Sequence, residues 1–344
     1  MSLPTNAAPS PQSAHANPSE GVPGLPVMPD ARMHLVTPLA PVIGRVVSTA
    51  RCTASTKSAA FVRHVAIDVS GTPLEGNFLS GQSFGVLAPG VDASGKIHKV
   101  RLYSIASPTQ GEDGDGKILA TTVKRTIDEH HETHALFLGV ASNYLCDLQV
   151  GAEVRISGPN GKRFLLPTDP SLHDYIFIAT GTGIAPFRGM IRELLARKIP
   201  SNITLIMGSP YATDLLYHQD FENLAREHRN FTYLTALSRE PNTTLDAALK
   251  SSIGGPMYVH ERLRTHAEQL APILHSERAL IYICGIAGME LGVLQALVAT
   301  LPQSAADQYV KVDPEIRTQP QAWNRRMIHK QISPTRRVLM EVYD

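Results

Sequence analysis

From Val42 to Pro167, apolar and polar positions come in short runs separated by turns. Val62-Arg-His-Val-Ala-Ile-Asp68 and Glu153-Val-Arg-Ile-Ser157 mix the two at near-alternate spacing. Gly71-Thr-Pro73, Pro89-Gly90, the stretch 111–116 and Gly158-Pro-Asn-Gly161 supply the breaks. Many short strands of this kind predict an antiparallel barrel. After Pro167 the pattern changes. Apolar, β-branched runs at 175–179, 203–207, 231–236 and 280–283 alternate with helical stretches at 187–196, 214–227 and 289–301. That alternation predicts a parallel sheet with helices on both faces. A last run, Arg336-Arg-Val-Leu-Met-Glu-Val342, reads as a strand that could anchor the end of the chain.

Two glycine-rich turns follow apolar runs of the second region. Thr180-Gly-Thr-Gly-Ile-Ala-Pro186 turns sharply at Gly181 and Gly183, and Pro186 suits the first turn of a helix. A strand, a glycine turn and a helix N-terminus aim free N–H groups at one spot that attracts phosphate. Cys284-Gly-Ile-Ala-Gly-Met289 puts a cysteine where its strand ends, at the edge of an open α/β sheet where ligands bind. Together the turns predict a nucleotide-binding half. In Arg101-Leu-Tyr-Ser-Ile-Ala-Ser107, strand alternation sets Arg101 and Tyr103 on one face, with Leu102 and Ser104 on the other. Arginine can grip a phosphate with a planar fork of donors, and tyrosine can lie flat on an aromatic ring.

With R-x-Y-S, G-T-G-I-A-P and C-G-x-x-G-M in order, and the end Glu341-Val-Tyr343-Asp344, the chain resembles the plant-type ferredoxin–NADP reductases from about Pro41 onward. The resemblance implies an antiparallel six-stranded FAD-binding β-barrel followed by a Rossmann-like parallel α/β domain for NADP(H). It implies hydride exchange between NADP(H) and FAD, with single electrons passed to a ferredoxin or flavodoxin. The stretch Ser-Asn-Tyr-Leu-Cys-Asp over 142–147 also resembles reductase components of oxygenases, the alternative enzyme role. A non-catalytic flavin-binding subunit is disfavoured because the glycine turns, Cys284 and Tyr343 are intact.

The resemblance also assigns residues. Arg101 contacts the FAD pyrophosphate, Tyr103 packs on one face of the flavin, and Ser104 donates near flavin N5, with Leu102, Val123 and Lys124 beside them. Val140, Ala141 and Ser142, in a stretch like the family's G-V-C-S-N-[FY]-L-C-D, bring backbone amides to the flavin. Ala141 replaces the family's first cysteine there. Tyr343 covers the second flavin face and must move for nicotinamide to enter, and Glu341 relays a proton. Cys284 holds the nicotinamide in place as a geometric support. Ser104, Cys284, Glu341 and Tyr343 form the catalytic set. For NADP(H) the set is Lys124, Thr182, Gly183, Ser209, Pro210, Ser238, Arg239, Tyr258, Cys284, Gly285, Met289 and Glu341, with Thr182 shared with FAD.

Ser238-Arg239 follows the strand over 231–236, where an adenosine ribose is usually read. A hydroxyl and a guanidinium there suit a 2′-phosphate, whereas NAD readers carry an acid. The family's lysine before Tyr258 is Pro256 here and its glutamine is His260, so a moderate preference for NADP is expected. The family's adenine-stacking tyrosine is Asp128, and His130 or His131 are candidate substitutes. The cluster His130-His131-Glu-Thr-His134 reads as a solvated loop rather than a metal site.

At 344 residues the chain suits two domains, here 39–169 and 170–344. The 32 Lys and Arg against 31 Asp and Glu leave no field favouring nucleic acid. The three cysteines, Cys52, Cys146 and Cys284, lack metal spacing and imply neither disulfides nor an iron–sulfur cluster. No apolar run is long enough for a membrane span, so a soluble, cytoplasmic monomer or weak dimer is expected. Residues 1–38, rich in Pro, Ala, Ser and Asn, predict a flexible tail.

Overall fold

The computed structural model describes residues 24–242 and 255–343. Five strands come first: β1 (Val42–Arg51), β2 (Val62–Asp68), β3 (Ser83–Leu87), β4 (Arg101–Ser104) and β5 (Ile118–Lys124). A hairpin of β6 (Ile127–Glu129) and β7 (Leu136–Leu138) follows, then α1 (Val140–Asp147) and β8 (Glu153–Asn160). The antiparallel sheet runs in the order β4-β3-β8-β1-β2-β5. Its edge strands meet at a bridge between Ile105 and Thr121, beside a 2.7 Å bond from Ala106 N to Ala120 O. That contact closes the sheet into a barrel and leaves no free edge there. Inward residues such as Val65, Ile67, Phe84, Leu119 and Ile156 fill it.

The second half contains β9 (Asp174–Thr180), α2 (Ile184–Ala196), β10 (Ile203–Ser209), α3 (His218–Glu227) and β11 (Phe231–Leu237). Beyond these come α4 (Glu261–Thr265), α5 (Ala267–Leu274), β12 (Ala279–Ile286) and α6 (Met289–Thr300). The chain ends through α7 (Gln303–Ala306), β13 (Val310–Val312), α8 (Pro314–Arg317), β14 (Ile332–Pro334) and β15 (Val338–Tyr343). The parallel sheet has the order β11-β10-β9-β12-β15. Its strands are covered on both faces, which is why they read as continuous apolar runs. Tyr175, Phe177 and Tyr282 join one core, and Ile176, Ile178, Ile281 and Ile283 the other. The strand order reverses between β9 and β12, and both glycine turns leave the carboxyl ends of these two strands. That is the crevice where open α/β sheets bind ligands.

Several elements depart from the sequence expectation. The helix expected over 214–227 starts only at His218, after a 3₁₀ turn at Ala212–Asp214 and a left-handed Tyr217 at φ 53°. Leu215 and Leu216 are buried, and Leu216 bridges to Thr53 of the first half, so this apolar pair serves a contact between halves instead of a helix face. Helix α2 begins at Ile184, with Pro186 inside its first turn. The expected tail is corrected from Gly24 onward. Val36 is buried in the barrel and bridges to Gly158, the carbonyl of Val27 accepts from Thr168 N at 2.9 Å, and Met28 packs on the core of the parallel half. Among the described residues no helix is long and apolar enough to cross a membrane.

Candidate active site

The two halves face each other across a cleft of about 1400 Å³. Clefts for a single drug-sized ligand are roughly 300–1,000 Å³, so this one has room for more than one group. From the barrel, Arg101, Leu102, Tyr103 and Ser104 of β4 line it, with Val123, Lys124 and Ser142. All four residues of β4 reach the cleft, so the expected division into two strand faces does not select among them. Tyr103 is half-buried against the barrel core, and burial pushes its phenol up to about 12. Val140 and Ala141 sit just before Ser142 on α1, with Ala141 buried and Val140 exposed.

From the parallel half come Thr182, Ser209, Pro210, Ser238, Arg239, Tyr258, Cys284 and Met289, and from the terminal strand Glu341 and Tyr343. The two glycine turns interlock beneath them. A Cβ on Gly183 would lie 2.1 Å from the carbonyl oxygen of Cys284, a contact no side chain tolerates. Gly285 is equally tight against Thr180, whose Oγ1 accepts from Ile286 N at 3.0 Å. Gly183 and Gly285 therefore lie under the cleft floor instead of lining it.

Strand β15 runs parallel to β12, with Glu341 beside Cys284 and Tyr343 beside Ile286. The carbonyl of Tyr343 accepts from Ala287 N at 2.8 Å, and its hydroxyl lies 2.7 Å from Thr182 Oγ1. These ties oppose the fraying expected at a chain end. Burial pushes the Cys284 thiol well up, with the Glu341 charge adding to it, so the thiol is neutral near pH 7 and a poor nucleophile. Glu341 keeps a water-accessible surface, yet the protein around it pushes its carboxyl up to about 7. The open surface moderates that effect. The Tyr343 phenol is raised to about 12, chiefly by burial.

At the other end of the cleft, Ser238 N donates to Ser209 O and Arg239 N to Pro210 O, each at 3.0 Å. This pairing brings the ends of β10 and β11 together. Tyr258 stacks on His260, with centroids 5.9 Å apart and planes 12° apart. His260 also lines the cleft and presses on Gly292, where a Cβ would meet its Nδ1 at 2.6 Å. Burial lowers its pKa, which favours the neutral ring.

Thr126 lines the cleft too and was absent from the sequence-derived set; its position two residues past Lys124 was the available signal. The histidine cluster caps the β6–β7 hairpin, where His130 stacks on His131 and His134 Nδ1 lies 2.6 Å from Glu129. Asp128 stands directly opposite Phe137, whose ring is exposed. No group of three or more His, Cys, Asp or Glu among the described residues could hold a metal ion.

A family model described as an oxidoreductase NAD-binding domain matches residues 177–295. With the fold, this places the chain among dinucleotide-dependent oxidoreductases. It is 37% identical over 276 residues to a ferredoxin–NADP reductase of Spirulina sp, covering 78% of this chain and 90% of that protein. A ferredoxin–NADP reductase of Thermosynechococcus vestitus is 35% identical over 313 residues, covering 88% of this chain and 78% of that one. The chain belongs to the ferredoxin–NADP reductase family. The solved ferredoxin–NADP⁺ reductase of Plasmodium falciparum shares the fold, with a TM-score of 0.64 at 21% identity over 90% of this chain and 99% of that one.

Proposed function

We propose that this protein is a flavoenzyme that moves electrons between NADP(H) and a ferredoxin or flavodoxin. Residues 39–169 would hold FAD and residues 170–344 NADP(H). The observation that carries the reading is the single cleft in which Arg101, Tyr103 and Ser104 of the barrel face Cys284 and Tyr343 of the parallel half. The lining fits both cofactors: the Arg101 guanidinium and the Tyr103 ring on the barrel side, and on the other the glycine turn at Gly181 with Arg239 and Tyr258. Bound FAD supplies the exchange between a two-electron nicotinamide and one-electron carriers.

The chain's own groups have separable tasks. Arg101 grips the pyrophosphate of FAD, and Tyr103 offers a flat face to its ring system. The Ser104 hydroxyl, in the cleft lining, would donate to charge developing on the flavin. Cys284, neutral and held at the strand end by its neighbours, sets how closely the nicotinamide approaches. Tyr343 covers the same surface until it is displaced. Glu341, its carboxyl pushed up to about 7 by burial, can hold or release a proton at working pH. Ser238 and Arg239 select the 2′-phosphate. Phe137, exposed and across the ladder from Asp128, would offer its ring to the adenine of FAD in place of the family's tyrosine.

Stopped-flow mixing with NADPH tests the reading. The purified protein should be yellow, bleach on NADPH and then reduce added ferredoxin. A colourless protein, or a flavin that NADPH does not bleach, contradicts it.

A further inference from the structure

We propose that α2 is a rigid spacer that sets the distance across the cleft, and that Gly189 is its positioning residue. The proposal rests on the functional reading above. Glycine in a helix interior costs about 1 kcal/mol relative to alanine, and Gly189 has no left-handed φ to excuse it. Space explains it. A Cβ there would lie 2.2 Å from the carbonyl oxygen of Ser107 and 2.7 Å from its carbon. The helix backbone thus rests directly on the barrel, three residues past Ser104.

The residues flanking Gly189 clamp the contact. Arg188, 6% exposed, donates through Nη1 to Ala106 O at 3.0 Å and grips both carboxylate oxygens of Glu112 at 2.5 and 3.0 Å. Its guanidinium also lies 5.2 Å from the centre of the Tyr217 ring. Glu193, 4% exposed, accepts from Ser80 Oγ at 2.9 Å and from Thr109 N at 3.1 Å. Tyr217 adds a further tie, its hydroxyl 2.6 Å from Thr122 Oγ1 and 3.0 Å from His64 Nδ1. Apart from Tyr217 itself, each of these partners belongs to the barrel, and Thr122 adjoins the cleft residue Val123.

The other end of the spacer is equally tight. Gly183, just before α2, abuts the Cys284 carbonyl. Gly189 lies six residues further along, about 9 Å at helical rise. From Ser104 to Cys284 the path therefore runs through backbone contacts and one short length of helix, with no flexible side chain in between. A Cβ at Gly189 needs ordinary contact, 3.4 Å or more, so α2 must retreat by about 1 Å. A shift of that size costs on the order of 100-fold in rate when it separates reacting groups.

The test is Gly189→Ala in the full-length holoenzyme. FAD retention reports the barrel, 2′-AMP affinity reports the parallel half, and the flavin absorbance change on adding NADP⁺ reports their juxtaposition. Retention and 2′-AMP affinity should stay within about twofold, as should KM for NADPH, while kcat falls about 10- to 100-fold and the absorbance change shrinks. A folded variant with wild-type kcat overturns the proposal, and so does a loss shared by FAD retention and 2′-AMP binding. If Gly189→Ala does not fold, Glu193→Gln, which changes no volume, is judged by the same split. A wild type that NADPH cannot reduce would instead sink the functional reading, and the spacer role with it.

Discussion

The hydroxyl of Tyr343 lies 2.7 Å from that of Thr182, tying the terminal strand to the glycine turn that opens α2. The same turn is floored by Cys284, so the tyrosine, the turn and the thiol form one wall of the cleft. Tyr343 is still 42% exposed, and its hydroxyl is held by Thr182 Oγ1 and, at 3.4 Å, by the Thr180 carbonyl, the two contacts it gives up when the ring moves.

Arg101→Ala should weaken FAD retention by about 1.5–3 kcal/mol, the worth of a hydrogen bond to a charged group. Dialysis against graded denaturant, followed by flavin fluorescence, measures this. Unchanged retention would remove Arg101 from the FAD site.

Phe137→Ala should lower the affinity of the apoprotein for FAD by about 1–3 kcal/mol, the usual loss when a base loses its aromatic stacking partner. FMN, which lacks the adenosine, should bind as it does to the wild type. Equal losses for FAD and FMN would show that Phe137 supports the hairpin instead, and the adenine would then need another platform.

Arg239→Ala should raise KM for NADPH and leave turnover with NADH nearly unchanged, because only NADPH carries the 2′-phosphate. With Pro256 where the family has lysine, the wild-type preference for NADPH should itself be moderate. Parallel losses with both nucleotides would make Arg239 a support of the loop.

Burial pushes the Glu341 carboxyl up to about 7 from its ordinary 4.5. Between those values the folded protein keeps a proton that the unfolded chain has lost, so this group lowers stability as pH rises through the window. Glu341→Gln should remove that slope in a thermal-melt series. It should also abolish a falling limb near pH 7 in the kcat profile, where the wild type loses its proton. A limb that persists in the variant belongs to another group.

Much of the fold is legible from local pattern. Strand β2 spans Val62–Asp68 as its alternation and the following Gly71-Thr-Pro73 turn predict. The cleft residues are legible where chemistry and position coincide, as at Arg101, Cys284 and Tyr343. What escapes is long-range. Leu215 and Leu216 look like a helix face, but their partners lie in the barrel, and Tyr217 takes a left-handed turn to reach Thr122 and His64. Val36 sits in a Pro- and Ala-rich stretch that composition marks as unfolded, yet Gly158, far along the chain, offers it a backbone partner. Gly189 reads as an unremarkable glycine within a helix until the Ser107 carbonyl comes into view.

The most direct test of the shared cleft is a titration of oxidised wild type and Tyr343→Ser with NADP⁺, followed by flavin absorbance. If Tyr343 and nicotinamide compete for one surface, nucleotide binds productively only when the ring has moved, and apparent affinity is reduced by that competent fraction. Tyr343→Ser should bind NADP⁺ more tightly, show a new long-wavelength charge-transfer band, discriminate less against NADH and turn over more slowly as product release becomes limiting. Unchanged NADP⁺ affinity with no new band would contradict the competition and remove Tyr343 from the gate.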